Sequence, residues 1–152
     1  MGGGLTHRLT RNDALMIKEN DLASMDDTSI GNDKKIAQII QTLEFDDISS
    51  FIEIEVRNEK EAITAAAVWQ QTHENSEIKL VVMLDNFGPE RCKDVVKQLE
   101  DMGLREAVIL EASGNITFEK LGEWFECGVD VLSTSAINRG VKPLDISMII
   151  GD

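Results

Sequence analysis

Val81-Val82-Met83-Leu84-Asp85-Asn86-Phe87-Gly88-Pro89 carries four apolar residues into a carboxylate, then an amide, an aromatic, a glycine and a proline. An apolar run this continuous suits a strand covered on both faces, as in a parallel sheet beneath helices. A helical pattern opens at Pro89, and proline suits the first helical position, where its missing N–H costs nothing. Asp85 therefore falls where a buried strand gives way to a loop. In β/α barrels that edge is where active sites are built. Aspartate is also common after strands for turn reasons alone, so this stretch leaves both readings of Asp85 open.

The flanking chain repeats the arrangement. Downstream, the helix runs from Pro89 to about Met102, with Val95, Val96 and Leu99 inward and Gly103 at its C-terminal end. Residues 107–111 read as the next strand and 112–115 as a tight loop. Thr117 caps a helix carrying Leu121, Trp124 and Phe125, and 129–133 form another strand. Thr134-Ser135-Ala136 is a second small-residue loop, and Pro143 to Ile150 an extended segment. Upstream, Asn58 and Glu61 have capping-box spacing and open a helix through Val68, followed by a polar stretch from Gln70 to Glu77 that contains His73. Phe51 to Val56 alternates, with Ile52, Ile54 and Val56 on one side and Glu53 and Glu55 on the other. Residues 33–43 have helical spacing. Ala14-Leu15-Met16-Ile17 is a strand ending at Lys18, and Glu19-Asn20-Asp21 begins a polar loop.

Strand–helix repetition of this kind calls for a parallel sheet with right-handed helical crossovers. Five core strands are too few to close an eight-stranded barrel. The expected fold is α/β: an open parallel sheet or a partial, incomplete β/α barrel.

Composition narrows the function. A chain of 152 residues, 42% apolar, is about one globular domain. Its formal net charge of −13 opposes nucleic acid and anionic membrane surfaces as partners. There is no apolar stretch long enough to span a bilayer and no apolar signal core at the N-terminus. Cys92 and Cys127 lack metal-type spacing and read as reduced, buried thiols of a cytoplasmic protein.

The strand ends place Lys18, Glu55, Asp85, residues 111–114 and residues 133–135 on one rim. Small-residue loops that lead into helices expose backbone N–H groups and favour phosphate. Carboxylates beside them can hold Mg²⁺ or accept from sugar hydroxyls, and lysine neutralises phosphate or carboxylate. Each part has an ordinary reading: a solvated Lys18, an exposed face for Glu53 and Glu55, a simple turn at Ser113-Gly114. Their coincidence on one rim describes a site for a phosphorylated sugar with a metal ion.

Gly-Gly-Gly-Leu-Thr-His-Arg-Leu, Leu-Met-Ile-Lys-Glu-Asn, Ile-Glu-Ile-Glu-Val, Met-Leu-Asp-Asn-Phe, Leu-Glu-Ala-Ser-Gly-Asn-Ile, Gly-Val-Asp-Val-Leu-Ser and Pro-Leu-Asp-Ile-Ser follow one another in this order. Together they closely resemble the C-terminal part of the quinolinate phosphoribosyltransferase family, also called carboxylating nicotinate-nucleotide pyrophosphorylase. The resemblance covers essentially the whole of residues 1–152. It implies a reaction in NAD biosynthesis in which quinolinate and phosphoribosyl pyrophosphate give nicotinate mononucleotide, pyrophosphate and CO₂, with Mg²⁺. It further implies that His7, Arg8 and Lys18 contact the quinolinate carboxylates, and that Glu55 and Asp85 serve the ribose hydroxyls and the metal. Lys18, Glu55 and Asp85 are then the catalytic set. Ser113 and Gly114, with Asn115 in the same loop, and Ser135 with Ala136 would cradle phosphate.

The pattern departs from the family at several points. Thr6 and Asp21 stand where the family usually has asparagine and histidine. Asn115 replaces a loop glycine, Ser135 replaces another, and Arg139 stands where a histidine is often found and could serve as a phosphate ligand. The family's N-terminal domain and the first barrel strand, with its Thr-Arg-Lys-Thr motif, are absent from this sequence. The resemblance therefore implies a homo-oligomer or a complementing N-terminal chain as partner. Two alternatives stay open: a related base phosphoribosyltransferase, or a non-catalytic binding or assembly subunit that retains the fold.

Overall fold

The computed structural model describes residues 4–10, 13–25, 29–44 and 50–137. Five strands form one sheet: β1 (Leu15–Ile17), β2 (Phe51–Val56), β3 (Lys79–Asp85), β4 (Ile109–Ser113) and β5 (Val131–Ser133). Their order in the sheet is their order in the chain, and every pairing is parallel. With right-handed crossovers, sequential order puts every connecting helix on the same face, as in a sector of a β/α barrel. The connecting elements are α1 (Glu19–Ala23), α2 (Asn32–Thr42), α3 (Glu59–His73), α4 (Pro89–Asp101) and the 3₁₀ turns 105–107 and 118–124.

The alternation of each strand separates two faces. Ile52, Ile54, Val56, Leu80, Val82, Leu84, Leu110 and Ala112 join one buried core with the inward sides of the helices. From α3 that core receives Ala62, Ala65, Ala66 and Trp69, and from α4 Cys92, Val95, Val96 and Leu99. Three small alanines let α3 lie close on the sheet, while Trp69 and Trp124 fill the volume that remains. The register then fixes the opposite face. Glu55 pairs with Met83, Met83 with Glu111, and Asp85 with Ser113, which pairs with Ser133.

Local signals set the element ends. Asn58 Oδ1 accepts from the Glu61 N–H at 3.0 Å, and the Glu61 carboxylate accepts from the Arg57 N–H at 2.8 Å. The cap reaches one residue further back than a standard capping box. Helix α4 ends in a Schellman motif: Leu104 N–H donates to Leu99 C=O at 2.8 Å and Gly103 N–H to Glu100 C=O at 2.9 Å, with Gly103 at φ +69°.

Three sequence expectations are corrected, and one that was left open is decided. Glu19-Asn20-Asp21 is the first part of helix α1 rather than a loop, because the Asp21 carboxylate accepts from the Lys18 N–H at 2.8 Å and caps it. The polar stretch from Gln70, readable as a helical extension or as a loop, is helical to His73, which stacks on Trp69 with ring centroids 4.6 Å apart. Strand β4 begins at Ile109 and runs on to Ser113, so Glu111 lies within the strand. Phe125, expected within the helix after Thr117, lies just past a 3₁₀ turn that ends at Trp124 and is exposed. The extended segment 143–150 lies outside the described residues. Both cysteines are buried and free, as expected, and burial pushes the Cys92 thiol up to about 12.

Candidate functional site: the carboxylate rim

The C-terminal ends of the strands bring Lys18, Glu55 and Asp85 together. Lys18 follows β1 and donates from Nζ to Glu55 Oε2 at 2.7 Å. Glu55 is largely buried, since its side chain stands on the inner face of β2. Asp85 closes β3 and is about one-fifth exposed. A residue that the sequence reading passed over links the two acids. Arg57 Nη2 lies 4.0 Å from Glu55 Oε1 and 3.9 Å from Asp85 Oδ2, while its Nη1 meets Glu19 Oε2 at 2.5 Å. The signal was available: Arg57 is two residues beyond Glu55 on an alternating strand, and so continues the same side.

The loops after β3 and β4 are tied to each other. Asn86 N–H donates to Ser113 C=O at 2.8 Å, Asn86 Nδ2 donates to Asp85 Oδ1 at 2.9 Å, and Asn115 Nδ2 donates to Asn86 Oδ1 at 3.1 Å. Asn86 and Asn115 both adopt positive φ, which asparagine tolerates better than most residues. Gly114 has φ +99°, and a Cβ there would fall 2.2 Å from Asn86 Oδ1. The glycine is thus required twice, by its backbone conformation and by its neighbour. A small cleft beside this loop is lined by Gly88, Pro89, Gly114, Asn115 and Lys120, where α4 begins. The loop after β5 joins in through Thr134, whose Oγ1 donates to Ile116 C=O at 2.5 Å and accepts from the Ala136 N–H at 3.0 Å. Ser135 is exposed beside it. Arg139 lies outside the described residues. A larger cleft among Lys79, Glu100, Arg105 and Asp130 lies at the opposite end of the sheet and includes none of the rim residues.

His7 and Arg8 sit apart from the rim. Arg8 Nη1 donates to Ala14 C=O at 3.2 Å, next to the start of β1. His7 reaches the inner face of the sheet, where its Nε2 lies 2.9 Å from Glu53 Oε2 and 3.7 Å from Glu111 Oε2. Glu53 is two residues before Glu55, hence about 6.6 Å deeper along β2. Its side chain is fully buried, as on a strand face that looks into a barrel interior and not as on the ordinary solvated face of an alternating strand. Neither Glu53 oxygen has a hydrogen-bond partner among the described residues, although the His7 imidazole lies within ion-pair distance of one of them. Burial, and next the charge of Glu111, push the Glu53 carboxyl up to about 8. Glu111 is better provided for, because Ser133 Oγ donates to its Oε1.

A singly wound parallel sheet that gathers its carboxylates and glycine loops at the strands' C-terminal ends is of the β/α-barrel class. Within that class the chain belongs to the quinolinate phosphoribosyl transferase C-terminal domain family, whose model matches residues 1–149. It is 33% identical over 148 residues to a protein of Archaeoglobus fulgidus described as "Probable nicotinate-nucleotide pyrophosphorylase (carboxylating)", covering 97% of this chain and 50% of that protein. To quinolinate phosphoribosyltransferase (decarboxylating) 1b of Nicotiana tabacum it is 32% identical over 158 residues, covering 97% and 41%. The structure of the nicotinate-nucleotide pyrophosphorylase from Francisella tularensis superposes with a TM-score of 0.65 at 32% identity, covering 93% of this chain and 42% of that one. The chain thus spans about half the length of the relatives it matches. No helix among the described residues is long and apolar enough to cross a membrane.

Proposed function

We propose that this chain supplies the phosphoribosyl pyrophosphate rim of a carboxylating nicotinate-nucleotide pyrophosphorylase. In that reaction the pyridine nitrogen of quinolinate displaces pyrophosphate from the sugar's anomeric carbon and CO₂ is lost, giving nicotinate mononucleotide. The observation that carries the reading is the pair Glu55 and Asp85 on neighbouring strands, facing Lys18 and beside the Gly114 loop.

The roles follow from the chemistry of each group. Carboxylates close to a developing oxocarbenium-like carbon stabilise its positive charge, and they accept from ribose hydroxyls. Lys18 offers a point charge to a substrate carboxylate or phosphate. The Gly114 loop would offer backbone N–H groups to phosphate, and the loop at Ser135 and Ala136 the exposed Ser135 hydroxyl, its Ala136 N–H being held by Thr134 Oγ1. Oxygen donors from two carboxylates suit Mg²⁺, and the Arg57 guanidinium already stands within 4.0 Å of both. Glu55 and Asp85 would hold the ion, which when bound neutralises pyrophosphate charge. His7 and Arg8, assigned to quinolinate by resemblance, would need to turn from Glu53 and Ala14 toward the rim.

Calorimetric titration of the purified chain with phosphoribosyl pyrophosphate and Mg²⁺ tests the proposal. Saturable binding that is lost in Asp85→Asn is the expected result. Binding that survives Asp85→Asn, or none in a chain shown folded by circular dichroism, would overturn it.

A further inference from the structure

We propose that His7, Glu53 and Glu111 form a second cation site on the inner face of the sheet, suited to a divalent transition metal of the zinc type. One imidazole nitrogen and two carboxylate oxygens converge there, all within 4.8 Å of one another. The sheet dictates the convergence. Glu53 and Glu111 project from β2 and β4 on either side of β3, and His7 comes from the segment that precedes β1.

A cluster of acids on an acidic protein is not in itself a site. Glu53 supplies the independent observation: its side chain is fully buried, points into the cluster, and has no hydrogen-bond donor for either oxygen among the described residues. A buried acceptor without a donor is costly, and a metal ion would satisfy it. Glu111 is set up as a ligand by its neighbour, because Ser133 Oγ donates to Oε1 while Oε2 faces His7. Hydrogen bonding of the second carboxylate oxygen is the usual outer support of a metal-bound carboxylate.

The donor set chooses the metal. Imidazole nitrogen with carboxylate oxygens suits zinc, cobalt and their neighbours, whereas Mg²⁺ prefers oxygen alone. Three protein ligands would leave one position of a tetrahedral zinc site open. The two cation sites of the protein would therefore differ in preference, with oxygen-only Glu55 and Asp85 above and the mixed site below. The inference stands on His7, Glu53 and Glu111 and does not rest on the proposed activity; a metal there would hold His7 in place and leave Arg8 and Lys18 to meet the quinolinate carboxylates.

The probe is Co²⁺ alone, added to the full chain with no sugar or pyridine substrate present. Tetrahedral Co²⁺ with a nitrogen ligand gives visible ligand-field absorption, which Zn²⁺ should displace at one equivalent. His7→Ala and Glu53→Gln are each expected to weaken Co²⁺ at least tenfold, while Asp85→Asn leaves the spectrum unchanged. Glu53→Gln is nearly isosteric and removes a buried charge, so a fold shown intact by circular dichroism keeps its result interpretable. Absence of the absorption at saturating Co²⁺ would overturn the proposal. So would a spectrum insensitive to both His7→Ala and Glu53→Gln, or one abolished by Asp85→Asn instead.

Discussion

The guanidinium of Arg57 stands 3.9 Å from Asp85 Oδ2 and 4.0 Å from Glu55 Oε1, so one side chain screens both acids of the rim. A divalent cation between those acids would compete with that positive charge. Arg57→Ala should therefore tighten Mg²⁺ or Mn²⁺ binding at Glu55 and Asp85. Half-exposed ion pairs are each worth about 0.2–1 kcal/mol, so losing the two should tighten the ion by about twofold to thirtyfold. Titration of wild type and variant with Mn²⁺ at low ionic strength checks it. Equal or weaker binding in Arg57→Ala would show that the guanidinium does not compete with the ion.

Gly114 and Gly103 both have positive φ, but their surroundings differ. A Cβ on Gly114 would meet Asn86 Oδ1 at 2.2 Å and Asn86 Cα at 3.1 Å, whereas nothing lies within 4 Å of one on Gly103. Gly103→Ala should cost about 1–2 kcal/mol from backbone conformation alone. Gly114→Ala should cost more, because Asn86 must move as well, and the bonds from Asn86 to Asp85 and Ser113 would go with it. Urea denaturation of both variants gives the comparison. Equal losses would count against the packing of Asn86 on Gly114.

Most of the fold was legible in the sequence, because buried parallel strands and amphipathic helices announce themselves by run and period. The boundaries that failed were decided by side-chain bonds. Asp21 caps a short helix where composition suggested a loop. Arg105 Nη1 holds Val108 C=O at 3.3 Å and its Nη2 holds Gly128 C=O at 2.9 Å, next to a 3₁₀ turn, so β4 starts later than its apolar run. In the site, Lys18, Glu55 and Asp85 were legible as strand ends, since position along a strand is local information. Glu53 was not. Alternation separates two faces of a strand but does not say what lies over them, and here His7 comes from far along the chain. Arg57 was missed although it continues the side of Glu55; only its contact with Glu19 depends on β1–β2 pairing, which no local pattern shows.

Asp130 is the corresponding device at the opposite end of the sheet. Its Oδ2 accepts from the Leu110 N–H at 2.7 Å, its Oδ1 from Arg105 Nη2 at 2.8 Å, and its own N–H donates to Leu110 C=O at 2.9 Å. Leu110 is fully buried, so Asp130→Ala would leave its amide without that partner. The expected loss is about 1–3 kcal/mol. Asp130→Asn, which keeps an oxygen acceptor, should recover part of it. Thermal denaturation with amide exchange at Leu110 distinguishes this from a surface charge effect, which would leave the exchange rate unchanged.

Glu53 gives the protein a pH dependence of predictable sign. Its carboxyl is pushed from an ordinary value of 4.5 up to about 8, mainly by burial and next by Glu111. Below about pH 4.5 the group is protonated in folded and unfolded chains alike, and it adds no pH dependence. Between about pH 4.5 and 8 the folded chain keeps the proton that the unfolded chain has lost. The folded state then binds more protons, and stability falls as pH rises, by at most about 1.4 kcal/mol per pH unit. Above about pH 8 both states are ionised and the full cost is reached. Glu53→Gln carries no such proton. In the presence of a chelator, which removes any metal contribution, the variant should therefore gain on wild type steadily from about pH 5 to pH 8, by a few kcal/mol in total. Other titrating groups largely cancel in the difference between the two proteins. Urea denaturation across that range measures it, and parallel stability curves would mean that Glu53 is already ionised at low pH in the folded chain, with a partner that satisfies its charge.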